Sequence, residues 1–231
     1  MNPSIGLVVF DKDGTLFEFE ATWGAWIEAV VADLATPQRS AETLARAVGY
    51  NLASSCFDAD AIAIAGTGDE VVDAWIGQLG ASEATRIRDV AEEHEQSLPL
   101  VPCGDVTSVL QTLRGGDRTI AVATNDYERV AHAHLQAGGI SALVDHVLGC
   151  DSGYSAKPEA GMLLAACELA GVEPHRAAMI GDSTRDLTAA RNANFGLAVG
   201  VLTGPAARGE LEPLADVVLD SIVDLPAWLA R

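Results

Sequence analysis

The chain has 231 residues, with 14 Lys+Arg against 33 Asp+Glu, a formal net charge of −19 and a hydrophobic fraction of 49%. That length suits one large domain, or one domain carrying a smaller insert, and supports a core that needs neither disulfides nor a structural metal. The apolar content argues against disorder, and the acidic balance disfavours nucleic acid and anionic membrane surfaces as partners.

In chain order, Ile5–Phe10 (IGLVVF) is a continuous apolar run ending at Asp11, the pattern of a strand buried on both faces of a parallel sheet. The opening MNPSIGLVVF lacks a basic leader segment, so no signal peptide is expected. The segment from Leu16 to Leu100 reads as helices around Thr22–Leu34, Ala41–Leu52, Asp69–Leu79 and Ser82–Ser97, with no convincing strand. It holds 15 acidic and 4 basic residues. From Val101 the rhythm alternates. Helical patterns at Asp105–Arg114, Tyr127–Ala137, Glu159–Ala170 and Thr184–Asn192 interleave with apolar runs at Thr119–Thr124, Ala177–Gly181, Gly196–Val201 and Asp216–Leu219. Strand and helix in alternation predict an α/β fold: a Rossmann-like three-layer core with a mainly parallel sheet, formed by 1–15 and 101–231. Residues 16–100 are then an inserted, all-helical cap domain.

Four cysteines, Cys56, Cys103, Cys150 and Cys167, form no CxxC pair, which fits neither a disulfide framework nor a zinc site. No apolar stretch approaches the roughly 18 residues of a membrane span. A cytoplasmic location is expected. Lysine occurs only at Lys12 and Lys157, both beside turns that also carry aspartate or proline.

In an open parallel sheet, ligands bind beyond the carboxyl ends of the strands. Those ends and their loops carry Asp11-Lys12-Asp13-Gly14-Thr15, Thr124-Asn125-Asp126, Ser155-Ala156-Lys157-Pro158 and Gly181-Asp182-Ser183-Thr184-Arg185-Asp186. Four carboxylates converging on one rim would repel, and a hard divalent cation with oxygen ligands, Mg²⁺, resolves that. The inventory suits phosphoryl transfer. One carboxylate can attack phosphorus and a second, two residues on, can protonate the leaving oxygen. A hydroxyl and an ammonium can hold the phosphoryl oxygens where charge develops. Asp, Thr and Gly also favour turns and caps on their own account. That simpler reading weighs most on Asn125 and Ser183.

At these residues the sequence resembles the haloacid dehalogenase superfamily. The four motifs appear in order: Asp11-x-Asp13-Gly14-Thr15, Thr124 closing a strand, Lys157-Pro158, and Gly181-Asp182-Ser183 through Asp186. The helical insert matches the cap placed between the first two motifs, as in phosphoglycolate phosphatases and β-phosphoglucomutases. The resemblance implies roles. Asp11 is the nucleophile and Asp13 the general acid and base, with Thr124 and Lys157 completing the catalytic set. Asp11, Asp13, Thr124, Asn125 and Lys157 contact the phosphate, partly through backbone amides near Asp13 and Asn125. Asp11, the backbone carbonyl of Asp13 and Asp182 hold Mg²⁺, with Asp186 behind them acting through water or by orienting Lys157. The implied partner is a small-molecule phosphomonoester, hydrolysed through an aspartyl phosphate as the cap closes to exclude water.

Asp13 argues for an oxygen leaving group, because superfamily dehalogenases lack that second aspartate. The absence of lysine from Leu16 to Leu100 closes the Schiff-base route of phosphonate hydrolases. A sugar phosphomutase would need a second cationic site, for which Arg39 and Arg46 are the candidates, though both also read as solvated helix charges. A phospho-accepting receiver without turnover would be about half this length and carry its aspartate on a later strand. Trp23 and Trp26, one turn apart, suggest cap packing. Gly66-Thr67-Gly68 reads as a helix–helix turn or a substrate-reading loop, and Phe17 to Glu20 as a flap into the cap. His132 and His134 do not share a helix face and suggest no metal site.

Overall fold

The computed structural model describes residues 5–58, 61–95 and 98–230. The first four residues of the opening segment, and Ser97 at the end of an expected helix, lie outside them. The chain divides into two compact units, Met1–Glu18 with Pro102–Arg231, and Phe19–Val101.

Strand β1 (Leu7–Phe10) opens the first unit and is buried at every position. The second unit follows with helices α1 (Ala25–Leu34) and α2 (Ala41–Ala47), a short hairpin of β2 (Tyr50–Asn51) and β3 (Cys56–Phe57), and helices α3 (Ile62–Ala65), α4 (Gly68–Leu79) and α5 (Ala84–Glu95). The chain re-enters the first unit with α6 (Val106–Arg114), β4 (Thr119–Ala123), α7 (Glu128–Ala137), β5 (His146–Leu148) and α8 (Gly161–Ala170). It ends with β6 (Ala177–Gly181), α9 (Thr184–Asn192), β7 (Leu197–Val201), α10 (Arg208–Leu211), β8 (Val217–Leu219) and α11 (Leu225–Leu229).

The six strands of the first unit form one sheet in the order β5-β4-β1-β6-β7-β8, every pair parallel. Successive side chains point to opposite faces of a strand, and both faces here are covered. Leu7 and Val9 of β1 join Ala121, Ala123 and Met179 in a core with Met162, Leu163 and Ala166 of α8 and Leu187 and Ala190 of α9. The alternate residues Val8, Phe10, Ile120, Val122 and Ile180 are equally buried, and α6 lies on β4 with Val106, Val109, Leu110 and Leu113 turned inward. This is the expected three-layer α/β core.

The central position of β1 places the site. Phe10 is in register with Val122 on one side and Ile180 on the other. The next residues along the three strands therefore emerge side by side at the carboxyl edge, and the Asp11 N–H still donates to the Ile180 carbonyl at 2.9 Å.

The second unit has its own core, in which Trp26, Ile27, Val30, Leu34, Leu44 and Trp75 are buried. The Trp26 and Trp75 ring centroids are 5.4 Å apart, and their indole N–H groups donate to the Ala91 and Leu44 carbonyls. Trp23 meets Trp26 edge-on, in keeping with a packing role. Thr67 accepts from the Glu70 N–H while Glu70 accepts from the Thr67 N–H. Gly66-Thr67-Gly68 is therefore a capping turn that starts α4. Arg39 donates to the Gln38 and Gln78 carbonyls and is exposed, as is Arg46.

Two expectations need correction. The insert is helical but not wholly so. The helix expected over Ala41–Leu52 stops at Ala47, because Gly49 takes φ +79°, and the chain then turns into the β2–β3 hairpin. The core sheet also gains β5, a strand that the apolar runs do not predict. Its three residues form an edge strand with two half-buried positions, too short for an apolar run to stand out. Among the described residues, no helix is long and apolar enough to cross a membrane.

Candidate active site

Three of the expected site residues bring carboxylates to one point. Single ligand atoms of Asp11, Asp182 and Asp186 all lie within 4.8 Å of one another, and all three residues are buried. Lys157 stands against them, 4% exposed, and its ammonium donates to Asp11 Oδ1 and Asp186 Oδ1 at 2.6 Å each. Asp186 is fixed from its other oxygen. Ser183 donates to Asp186 Oδ2 through its hydroxyl at 2.6 Å and its N–H at 3.1 Å, closing a capping box at the start of α9. The helix cap thus aims the carboxylate that holds Lys157.

Asn125 clamps the same lysine from the backbone side. Its amide nitrogen donates to the Lys157 carbonyl at 2.9 Å and its oxygen accepts from the Lys157 N–H at 3.0 Å. Its side chain is therefore engaged in holding a loop. Thr124 is buried at the end of β4, and its hydroxyl accepts from the Asp126 N–H at 3.1 Å. The Asp13 side chain lies outside the carboxylate cluster and contacts Lys12.

Burial governs the charge states. It raises the Asp11 carboxyl to about 6, against the lowering effect of Lys157, with Asp186 and Asp13 adding repulsion. Burial also drives Asp182 well above the carboxylate range, reinforced by Asp11 and Asp186. For Lys157 burial acts downward, but Asp11 and Asp186 outweigh it and the ammonium is held above its ordinary value. Three buried carboxylates around one ammonium leave a surplus of negative charge, and every donor is a hard oxygen. Mg²⁺ fits that donor set, and a sulfur- or nitrogen-seeking metal does not.

Further residues shape the site: Gly14 and Thr15 from within the first motif, and Thr203 and Gly204 from outside all four. Thr15 donates to Asp182 Oδ1 at 3.2 Å. Thr203 donates to the Gly14 carbonyl at 2.6 Å. Gly14 (φ +81°) and Gly204 both press on Asp182: a Cβ would lie 2.4 Å from Asp182 Oδ2 at the first and 1.8 Å at the second. The position of Thr203-Gly204 just past the end of β7, on the rim already identified, was the available signal. Lys12, Asp126 and His134 form a further group under Asp13, and Phe17, the first residue of the expected flap, is buried.

Residues 5–194 match the haloacid dehalogenase-like hydrolase family. The chain belongs to that family. It is 31% identical over 201 residues, 86% of this chain and 81% of the relative, to "Probable phosphatase IndB" of Dickeya dadantii. It is 30% identical over 226 residues, 96% of this chain and 91% of the relative, to the phosphoglycolate phosphatase of Agrobacterium fabrum. Its fold is similar to the crystal structure of a predicted phosphoglycolate phosphatase from Haemophilus somnus 129PT, with TM-score 0.76, 21% identity and 99% of each chain covered. This hydrolase thus carries the expected fold along with the family's four motifs.

Proposed function

We propose that this hydrolase is a Mg²⁺-dependent phosphatase of small phosphomonoesters, with phosphoglycolate as the first substrate to test, working through an aspartyl phosphate on Asp11. The observation that carries the reading is the buried cluster in which Lys157 bridges Asp11 and Asp186 beside Asp182. The names of the relatives support the substrate class. We read Phe19–Val101 as the substrate-selecting cap.

Asp11 Oδ attacks phosphorus as the ester P–O bond breaks. Asp13 passes its proton to the departing oxygen, and the alcohol leaves. Asp13, now a carboxylate, takes a proton from water as that water attacks the same phosphorus. The Asp11–phosphorus bond breaks, inorganic phosphate forms, and both side chains return to their starting states. Lys157 and the Thr124 hydroxyl offset charge on the phosphoryl oxygens, helped by nearby backbone amides. Asp11, Asp182 and the Asp13 carbonyl would hold Mg²⁺, while Asp186 keeps Lys157 in place. When bound, the ion supplies positive charge to the phosphoryl group and to the crowded carboxylates. The engagement of Arg39 with two backbone carbonyls counts against a second phosphate site there, and so favours hydrolysis over a mutase.

The test is release of inorganic phosphate from p-nitrophenyl phosphate and from phosphoglycolate, with and without Mg²⁺. Steady, Mg²⁺-dependent turnover is expected. Stoichiometric labelling without turnover would overturn the reading.

Proton competition gives a second expectation. Asp11 holds its proton up to about pH 6 in the metal-free protein, whereas an unfolded aspartate loses it near 3.8. The stability that this proton contributes is present below pH 3.8 and is lost as pH rises through about 6. At neutral pH the metal-free site therefore carries unrelieved repulsion, which Mg²⁺ offsets. Calorimetric Mg²⁺ affinity should weaken as pH falls below about 6, by about tenfold per unit or more, because Asp182 competes for a proton as well as Asp11. An affinity unchanged down to pH 5 would contradict the assigned ligand set.

A further inference from the structure

The only two lysines in the sequence are both buried, and each sits on one aspartate of the first motif. Lys157 holds Asp11, and Lys12 holds Asp13. The Lys12 ammonium, 0% exposed, lies 2.8 Å from Asp13 Oδ1 and 2.7 Å from Asp13 Oδ2, so it faces both oxygens of that carboxyl. It also lies 3.0 Å from Asp126 Oδ2 and 2.9 Å from His134 Nδ1.

An ammonium has three N–H donors and no acceptor. Its hydrogen bonds run to the Asp13 carboxyl and to the imidazole, and the Asp126 carboxylate pairs with its charge. Because Lys12 can only donate, His134 must accept at Nδ1 and is therefore neutral. Burial, and then the Lys12 charge itself, push the imidazole down to about 4, which agrees with that role. The anchors are rigid. Asp126 follows β4 and accepts from the Tyr127 N–H at 2.7 Å, and its carbonyl accepts from the Cys150 N–H. His134 lies buried in α7. The Lys12 carbonyl accepts from the Leu16 and Phe17 N–H groups at 2.9 and 3.1 Å, which fixes the turn bearing Asp13. A lone neutralising charge would need none of this directional support.

We propose that Lys12 is a positioning residue for the acid–base step: anchored by Asp126 and His134, it holds the Asp13 carboxyl in the orientation from which its proton reaches the leaving oxygen. The inference rests on the reading of Asp13 as general acid. Proton transfer demands hydrogen-bond geometry, and misplacement of a catalytic group by about 1 Å costs on the order of 100-fold. The loss should therefore fall on substrates whose leaving group needs the proton.

The experiment compares kcat/KM for an alkyl phosphate and for p-nitrophenyl phosphate in Lys12→Met, Asp13→Ala and the double variant. Lys12→Met should lose about 30-fold or more on the alkyl ester and under about 3-fold on p-nitrophenyl phosphate. In the Asp13→Ala background it should cost under about 3-fold further on either substrate. Should Lys12→Met fail to fold, Lys12→Met with Asp126→Asn removes one charge of each sign and should show the same selectivity. Equal losses on both substrates, alongside a selective loss in Asp13→Ala, would make Lys12 structural and overturn the proposal while leaving the acid assignment intact. An unselective Asp13→Ala would instead overturn the acid assignment, and the inference with it.

Discussion

Asp11→Asn should lower kcat by at least about 10³-fold, roughly 4 kcal/mol of barrier, while the folded protein remains intact. The amide keeps the shape of the side chain but cannot attack phosphorus as a carboxylate does. Stability should move the other way from activity. Asp11 sits among Asp182 and Asp186, and burial raises its pKa to about 6, so its negative charge is unfavourable at neutral pH without metal. Removing that charge leaves Lys157 still bonded to Asp186 at 2.6 Å. The metal-free Tm at pH 7.5 should therefore be unchanged or higher. A variant retaining more than about a hundredth of wild-type kcat, within about 3 kcal/mol of barrier, would refute Asp11 as nucleophile.

Lys157→Met should be the most destabilising change in the site. Methionine preserves much of the chain length but leaves Asp11, Asp182 and Asp186 buried with no side-chain ammonium among them. Breaking a buried ion pair from one side costs about 3–5 kcal/mol, because the remaining charge is uncompensated. For a chain of this size that corresponds to a fall of roughly 10 °C in the metal-free Tm at pH 7.5. The sign of the pH effect follows from Asp11. Its folded pKa is already raised, and losing the lysine can only raise it further, so acidification through pH 6 neutralises part of the excess charge. The Tm deficit should shrink at pH 5, and saturating Mg²⁺ should shrink it at pH 7.5. Turnover should remain impaired in every case, because the phosphoryl oxygens lose a cation. An unchanged Tm across these conditions, measured by calorimetry, would show that the bridge contributes little.

Much of the core was legible because its signals are local. The runs at Leu7–Phe10 and Ala177–Gly181 are continuous and apolar, as a doubly covered parallel strand requires, and each ends in an aspartate that the sheet must deliver to its carboxyl edge. The edge strand His146–Leu148 and the Tyr50–Asn51 hairpin escaped for the opposite reason. They are two or three residues long, partly exposed, and set by pairing with a neighbour. In the site, Asp11, Lys157, Asp182 and Asp186 were readable as a charge problem needing one location. The direction of Lys12 was not. Its partners Asp126 and His134 lie more than a hundred residues away, and periodicity places His134 on a helix without saying what its ring meets. The demand for glycine at 204 was equally hidden, because it arises from the approach of Asp182 across the sheet edge.

The assignment of the nucleophile meets its most direct test in the stereochemical course at phosphorus. A phosphorothioate monoester made chiral with one heavy oxygen isotope would be hydrolysed in water carrying another, and the configuration of the product thiophosphate determined. Attack by Asp11 followed by attack of water inverts phosphorus twice, so net retention is predicted. Net inversion would mean that water attacks the ester directly and that Asp11 forms no bond to phosphorus.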